Sequence, residues 1–237
     1  MGKESTGEKC KTRLFVVDEY PLIREGLKRV IGQEADLEIC GEAHTVQRAL
    51  EGVAINKPDL ILLDLRIGNG DGLELIKSLK VKFPLMRILA VSQFDEAVYA
   101  ERTLRAGAHG FVMKRQEVSE LLKAIRAVLD GQLYAGSRLA TLALNKMLCN
   151  STNKEKPRKN GVEGLTDREL QIFHLLGAVL SVGKIASELG LSVKTVETHR
   201  ENIKHKLGFN SAKKLAEHAT KWVERNGQVT ISRELAD

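Results

Sequence analysis

Short β-forming runs alternate with amphipathic, helix-length stretches five times between residues 13 and 131. Such alternation favours parallel strands joined by right-handed helical crossovers, with helices covering both faces of the sheet. The sequence therefore predicts an α/β, flavodoxin-like (βα)5 domain, a doubly wound parallel sheet. The predicted strands are 13–17, 37–43, 59–64, 87–92 and 110–114, and the predicted helices are 21–32, 45–56, 72–83, 95–108 and 117–131.

A polar segment divides the chain. The stretch 149–164, CNSTNKEKPRKNGVEG, has almost no apolar residues and is typical of a flexible linker. A helix is predicted before it, at 137–148, and four helices without a strand are predicted after it. The predicted domains are therefore an α/β domain at 12–131, a helix and basic linker at 132–163, and a small all-α domain at 164–225. The four later helices are predicted at 167–176, 182–189, 193–207 and 211–224.

Composition limits the class of protein and its partners. No apolar run approaches the roughly 20 residues that span a bilayer, so no membrane partner is expected. Three scattered cysteines without a zinc-binding spacing fit a reduced, cytoplasmic protein. Residues 150–237 contain 15 Lys and Arg against 11 Asp and Glu, and this basic balance indicates a polyanionic partner.

Polar side chains follow the predicted strands at the sheet edge where open parallel sheets bind ligands. Asp18 and Glu19 follow the first strand, and Asp64 follows the third. Three converging carboxylates need a cation, and a hard divalent ion such as Mg²⁺ suits them. Asp64 could then attack phosphorus as a nucleophile. Ser92 and Lys114, at the ends of the fourth and fifth strands, would receive the phosphoryl oxygens.

A structural interpretation is open for each residue alone, because an acid after a strand often caps the next helix. The joint pattern over four strand ends favours a phosphorylation site. The segments VVDEYPLIREGL, PDLILLDLRIGNGDGLELI, ILAVS and AGAHGFVMK make residues 13–131 resemble a receiver domain of two-component signalling. The resemblance implies that Asp64 is the phosphoacceptor and Ser92 the switch hydroxyl.

The same resemblance assigns the remaining residues of the site. Lys114 would bind phosphate, and Phe111 would occupy the aromatic switch position. The Mg²⁺ ligands would be Asp18, Glu19, Asp64 and the backbone carbonyl of Arg66. Three positions depart from the usual pattern: Gly68 stands where proline is usual, Arg115 follows the lysine, and Phe111 lacks the tyrosine hydroxyl.

The basic C-terminal part contains a helix, a short turn and a second helix. Thr166 and Glu169 form a capping box, Gly190 ends the first helix of the pair and Ser192 begins the second. A short turn at Gly190 is typical of a helix-turn-helix. The outer face of the second helix carries side chains suited to phosphates and base edges: Lys194, Thr195, Glu197, Thr198, Arg200, Glu201 and Lys204.

Residues 164–223 resemble the LuxR-type DNA-binding domain of NarL/FixJ-class response regulators. LTDRE, KIASELGLSVKTVETHRENIKHKLG and SAKKLAEHA carry the match. The resemblance makes 193–207 the recognition helix, adds His199 as a DNA-facing or packing residue, and implies a dimer contact through 211–224. Double-stranded promoter DNA is then the expected polyanion.

The two parts together predict a cytoplasmic transcription regulator rather than an enzyme. A sensor histidine kinase would phosphorylate Asp64 with Mg²⁺ as cofactor, and the phosphorylated protein would act as a homodimer, with RNA polymerase a further candidate partner. Two alternatives stay open. One is a DNA-binding regulator with an atypical receiver that senses a protein or small molecule without phosphorylation. The other is a phosphatase-like α/β enzyme, for which no general acid is evident beside Asp64.

Overall fold

The computed structural model describes residues 11–68, 70–94, 96–136 and 161–226. The chain divides into two compact units, one built around a β-sheet and one built from the C-terminal helices. The helix predicted at 137–148 and residues 149–160 of the predicted linker lie outside the described residues. The end of that linker forms a short 3₁₀ turn at Val162–Gly164, which the sequence analysis did not predict.

The first unit contains a parallel five-stranded sheet. The strands of the described residues are β1 Thr12–Val17, β2 Leu37–Ala43, β3 Leu60–Leu63, β4 Arg66–Ile67, β5 Gly70–Asp71, β6 Arg87–Ser92 and β7 Gly110–Met113. The strand order of the five-stranded sheet is β2-β1-β3-β6-β7, the flavodoxin-like order in which helices cover both faces, so the predicted fold class is confirmed. The helices are α1 Pro21–Gly32, α2 Val46–Asn56, α3 Gly72–Lys82, α4 Glu96–Ala106 and α5 Val118–Leu129.

The central strand β3 is buried on both faces, as expected of a parallel sheet between two helical layers. Alternate residues of the strands face opposite sides. Leu60 and Leu62 belong to a core cluster that also contains Leu27 and Ile31 of α1 and Ile125 of α5. This cluster fixes the position of β3, and thereby the position of the residue that follows it.

The loop after β3 contains secondary structure of its own. It contains the two short strands β4 and β5, which pair with each other and were not predicted. Gly68 between them has a φ of +51°, a left-handed conformation that the fixed φ of proline excludes. The glycine at this position therefore has a backbone role. Asp71 then caps α3, because its Oδ1 accepts a hydrogen bond from the backbone N–H of Leu73 at 2.8 Å.

Gly72, the first residue of α3, lies against the backbone that follows β3. A Cβ atom at Gly72 would lie 2.5 Å from Cα of Leu65 and 2.8 Å from the carbonyl oxygen of Asp64. No side chain fits in that space without moving the loop. Glycine at this position therefore allows the backbone at Asp64 and Leu65 to lie against the start of α3.

Between residues 161 and 226, the described part of the C-terminal unit, the chain forms four α-helices: α6 Asp167–Gly177, α7 Val182–Leu189, α8 Val193–Lys206 and α9 Ala212–Asn226. Each of the first three begins at a hydroxyl side chain that accepts a backbone hydrogen bond, namely Thr166, Ser181 and Ser192. Gly190 ends α7 with a φ of +62°, as the glycine in the predicted turn requires. Among the described residues, no helix is long and apolar enough to cross a membrane.

Candidate functional site

Asp64 follows β3 directly and is almost fully buried, with 2% of its surface exposed. Its backbone N–H donates a hydrogen bond to the carbonyl of Val17, which aligns the ends of β3 and β1. Asp18, the next residue after β1, is equally buried at 2%. The sheet thus brings the two aspartates to the same edge, as the sequence analysis predicted for the carboxyl ends of parallel strands.

Lys114 extends from the end of β7 to both aspartates. Its Nζ lies 2.7 Å from Oδ2 of Asp64 and 2.6 Å from Oδ2 of Asp18. The backbone N–H of Lys114 donates to the carbonyl of Ser92 at 2.8 Å, which joins the ends of β7 and β6. The structure therefore brings four of the predicted site residues together, Asp18, Asp64, Ser92 and Lys114.

Burial dominates the electrostatics of Asp64. Removal from water raises the pKa of this carboxyl, the ammonium group of Lys114 lowers it, and Asp18 raises it again, so that the pKa is about 6 instead of 3.8. Burial alone would lower the pKa of Lys114, but the two aspartates outweigh it and raise the pKa. Lys114 therefore stays charged, and the carboxyl of Asp64 titrates at a higher pH than that of a free aspartate.

Glu19 lies at the rim of this site and pairs with a different cation, the guanidinium group of Arg66. Its Oε1 is 3.1 Å from Nε of Arg66, with 20% of the Glu19 side chain and 36% of the Arg66 side chain exposed. Across the described residues, no three or more His, Cys, Asp or Glu side chains are arranged to hold a metal ion. The predicted ligands Asp18, Glu19 and Asp64 thus lie at one edge, but Glu19 does not converge with the two aspartates.

The donor set nevertheless fits a hard divalent cation. Carboxylate and carbonyl oxygens are the ligands that Mg²⁺ prefers. Oδ1 of Asp64 is buried and receives no hydrogen bond of ordinary geometry from the described residues. A buried carboxylate oxygen without a donor is costly, and a cation is one partner that would compensate it.

Two residues near the site were missed in the sequence analysis. Arg24 of α1 donates hydrogen bonds from Nη1 to the carbonyls of Asp18, at 2.9 Å, and Glu19, at 3.2 Å. The Tyr20 ring lies 5.7 Å from Nζ of Lys114, and its backbone N–H donates to Oδ1 of Asp18 at 2.8 Å. Arg24 follows the acid pair in the sequence by one to two helical turns, and this spacing could have indicated that its side chain reaches back to the pair. These contacts fix the backbone and one carboxylate of the acid pair.

The predicted switch residues Ser92 and Phe111 are both buried. Ser92 at the end of β6 is 0% exposed and Phe111 in β7 is 2% exposed. They lie on adjacent strands, with Ala90 paired to Phe111 and Ser92 paired to Met113. Both residues therefore lie in the packed interior of the β6–β7 side of the sheet.

The C-terminal unit presents α8 as a separate candidate surface. Lys194, Glu197 and Thr198 are exposed, whereas the other predicted DNA-facing residues are only partly exposed: Thr195, His199, Arg200, Glu201 and Lys204. Thr198 donates its hydroxyl hydrogen to the carbonyl of Lys194. Glu201 pairs with Lys204 on the same helix, so its negative charge is partly compensated. Nδ1 of His199 is buried without a hydrogen bond from the described residues, which favours packing for that edge of the ring.

A buried glutamate joins α6 to the end of α8. Glu169 is 4% exposed, and its Oε2 accepts hydrogen bonds from the backbone N–H of Thr166 at 2.8 Å and from Nζ of Lys206 at 2.6 Å. Burial raises the pKa of Glu169, but Lys206 and Thr166 more than offset it, so the pKa lies below 4.5. Arg168 beside it donates to the carbonyl of Leu189 at the end of α7. The start of α6 thus contacts both helices of the predicted helix-turn-helix.

Comparison with known proteins agrees with this arrangement. Residues 14–126 match the family model of the response regulator receiver domain, and residues 163–219 match that of bacterial regulatory proteins of the luxR family. The chain belongs to the response regulators of the NarL/FixJ class, a family of DNA-binding transcription regulators and not of enzymes. Among its relatives, the oxygen regulatory protein NreC of Staphylococcus aureus is 32% identical over 210 residues, which cover 88% of this chain and 97% of NreC.

Solved structures show the same fold. RcsB from Salmonella enterica serovar Typhimurium, bound to promoter P1flhDC in the presence of phosphomimetic BeF3⁻, matches 90% of this chain and 100% of the RcsB chain, with a TM-score of 0.63 and 21% identity. A two-component response regulator of the LuxR family from Aurantimonas sp. matches 59% of this chain and 99% of its own, with a TM-score of 0.55 and 26% identity.

Proposed function

We propose that this transcription regulator is switched by phosphoryl transfer from a sensor histidine kinase to Asp64. The observation that carries the proposal is the position of Asp64, which is buried at the end of β3 with Lys114 2.7 Å from Oδ2, while Oδ1 receives no hydrogen bond of ordinary geometry from the described residues. A carboxylate in this environment has one oxygen stabilised and one available for bond formation.

The reaction follows from these contacts. Oδ1 or Oδ2 of Asp64 attacks phosphorus, a phosphorus–oxygen bond forms, and the phosphorus–nitrogen bond to the kinase histidine breaks. The electron pair leaves with the imidazole, which takes up a proton. Lys114 donates to the new phosphoryl oxygens as it now does to Oδ2, and the Ser92 hydroxyl provides a second donor at the end of β6.

Asp18, Glu19, Asp64 and the backbone carbonyl of Arg66 would hold Mg²⁺. When bound, the ion compensates the negative charge of the carboxylates and of the incoming phosphoryl group. The residues of this chain have separate tasks: Arg24 holds the backbone of Asp18 and Glu19 through their carbonyls, and Tyr20 orients the Asp18 carboxylate through its N–H.

Phosphorylation adds about −1.5 to −2 charges at Asp64. Ser92 and Lys114 move toward that charge, and Phe111 repacks in the space that opens beside β6 and β7. Because switching transitions use packed elements with discrete arrangements, a movement at this edge alters the surface of the receiver. We propose that this change in the receiver surface controls dimer formation.

For the DNA-binding part, we assign α8 as the recognition helix, with Lys194, Thr195, Glu197, Thr198, His199, Arg200, Glu201 and Lys204 facing DNA or its backbone. A homodimer would place two such helices on half-sites about one DNA turn apart. We assign residues 12–131 to the receiver, 132–163 to the connection and 164–225 to the DNA-binding domain. The regulator acts in the cytoplasm, where it reaches promoter DNA, and RNA polymerase is a further proposed partner.

The experiment uses the full chain with Mg²⁺ and acetyl phosphate, and records intact mass, size-exclusion elution and affinity for DNA fragments selected from a random pool. Wild type is compared with Asp64→Asn. A matched control, Asp130→Asn, removes an exposed carboxylate after α5. We expect one added phosphoryl group, a shift toward dimer and tighter DNA binding in wild type and in Asp130→Asn, and none of these in Asp64→Asn.

An Asp64→Asn protein that still gains DNA affinity with the phosphodonor would refute the proposed switch. If neither acetyl phosphate nor a histidine kinase modifies wild type while it binds DNA, the regulator works without phosphorylation. The DNA-binding assignment would survive that result, because it depends only on the C-terminal unit.

A further inference from the structure

The side chain of Arg66 occupies an unexpected position in the acidic site. Arg66 lies on β4, two residues after Asp64, and the sequence analysis assigned only its backbone carbonyl. Its guanidinium Nε lies 3.1 Å from Oε1 of Glu19. The side chain of Glu19, a proposed metal ligand, is therefore paired with a cation that belongs to the chain itself.

The three proposed carboxylate ligands are divided between two internal cations. Lys114 contacts Asp18 and Asp64, at 2.6 and 2.7 Å, whereas Arg66 contacts Glu19. This division agrees with the finding that no three acidic, histidine or cysteine side chains in the described part of the chain are arranged for a metal ion. Binding of a divalent ion to all three carboxylates requires Glu19 to leave Arg66.

We propose that the Arg66 side chain competes with the divalent cation for Glu19 and thereby sets the affinity of the receiver for Mg²⁺. The inference rests on the metal-dependent function proposed above and extends it to a residue that controls the metal site. Two effects of the Arg66 side chain both weaken the binding of the divalent ion. The ion pair with Glu19 must break before the metal binds, and the positive guanidinium beside the site repels a divalent ion.

The exposure of the pair limits the size of the effect. The Arg66 side chain is 36% exposed and that of Glu19 is 20% exposed, so solvent screens their attraction. Ion pairs of this kind are individually weak, and their loss corresponds to a change in metal affinity of about twofold to fivefold. Because the competition is electrostatic, it weakens as the salt concentration rises.

The test measures binding of Mn²⁺ to the full chain from the electron paramagnetic resonance signal of the free ion, followed by displacement with Mg²⁺. Wild type is compared with Arg66→Gln and Arg66→Lys. Arg29→Gln is the matched control, because it removes one exposed arginine from the last turn of α1, which runs away from the acidic edge. Thermal unfolding of each variant verifies that it is folded.

We expect Arg66→Gln to bind both ions about twofold to fivefold more tightly than wild type at low salt, and the difference to shrink in high salt. Arg66→Lys is expected to lie between the two, and Arg29→Gln to match wild type. Equal affinities of wild type and Arg66→Gln would overturn the inference while leaving phosphorylation of Asp64 untouched. If folded wild type and Arg66→Gln both fail to bind either ion, the metal site and this inference are both wrong.

Discussion

Lys114 and Asp64 form a buried ion pair, with Nζ 2.7 Å from Oδ2 and with 14% and 1% of the two side chains exposed. Asp18 shares the same ammonium group, so two carboxylates and one cation are removed from water together. The arrangement has an excess negative charge in a poorly solvated place. The receiver is therefore electrostatically strained at the residue proposed to react, and the pKa of Asp64 is raised to about 6.

The raised pKa of Asp64 predicts that ionisation of this carboxyl lowers the folding stability in a pH-dependent way. The pKa of Asp64 is 3.8 in the unfolded chain and about 6 in the folded protein, so between these pH values the folded protein binds more protons at Asp64. The contribution of this group to the folding stability therefore falls as the pH rises through this range. Without Mg²⁺, we expect Asp64→Asn to raise the unfolding free energy by about 1–3 kcal/mol at pH 7.5.

Urea unfolding of wild type and Asp64→Asn between pH 4 and 8 measures this cost, with Asp130→Asn as the control for removal of an exposed carboxylate. The difference between wild type and Asp64→Asn should shrink as the solution approaches pH 4. A difference that is independent of pH would contradict the electrostatic explanation.

The contact of Gly72 with the backbone at Asp64 predicts that even one methyl group is harmful there. In Gly72→Ala, the Cβ would lie 2.5 Å from Cα of Leu65 and the loop must move. We expect a loss of about 1–3 kcal/mol in unfolding free energy, together with slower phosphorylation of Asp64 by acetyl phosphate.

Gly26→Ala provides the control for Gly72→Ala, because Gly26 lies inside α1 and a Cβ there has no atom within 4 Å. Replacement of an exposed helical glycine by alanine should stabilise the protein by about 0.5–1 kcal/mol. If both substitutions stabilise, the close approach at Gly72 is not a constraint.

The contact between Glu169 and Lys206 predicts a stabilising role for the buried carboxylate. Glu169→Gln removes the charge that holds Lys206 and weakens the cap at Thr166, so the C-terminal unit should lose about 1–2 kcal/mol at pH 7. Lys206 is 42% exposed, which is why the expected loss is moderate. Trp222 in α9, the single tryptophan of the chain, reports the unfolding of this unit by fluorescence.

The pH dependence of this contribution has the opposite sign to that of Asp64. The pKa of Glu169 is lowered on folding, so its stabilisation is present above the ordinary pKa of 4.5 and is lost as pH falls through the lower folded value. The difference between wild type and Glu169→Gln should therefore disappear in acid. Glu217→Gln, at an exposed position of α9, should change little at any pH.

The exposed Lys194 in the first turn of α8 predicts a phosphate contact. Lys194→Ala should weaken binding to a random-sequence DNA duplex and reduce the slope of log affinity against log salt by about 1. Fluorescence anisotropy over a range of salt concentrations measures the slope. Lys82→Ala, at an exposed position in the receiver helix α3, controls for the loss of one positive charge. An equal change in both variants would show that Lys194 does not contact DNA phosphate.

Sequence alone determined the fold class and the order of the five strands of the main sheet with their helices. Strand-forming runs such as Leu60–Leu63 and the capping residues Thr166 and Ser192 act over a few neighbouring residues, so their pattern is visible in the chain. The rule that parallel strands end at one edge then placed Asp18, Asp64 and Lys114 together. The roles proposed for these residues are still predictions, since the structure shows their proximity and not their chemistry.

Only the tertiary structure decided how the charges at that edge are paired. Nothing local in the sequence indicates that Lys114 lies between two aspartates, that Arg66 takes Glu19, or that Arg24 holds the backbone of the acid pair. The close approach of Gly72 to Asp64 and the short strands β4 and β5 were also outside the sequence pattern. The ion pairs of Lys114 and Arg66 join residues far apart in the chain, and their distances are set when the sheet and its helices pack. The contacts of Arg24, Gly72, β4 and β5 join nearer residues, and they depend on the backbone path that the same packing gives to the loops.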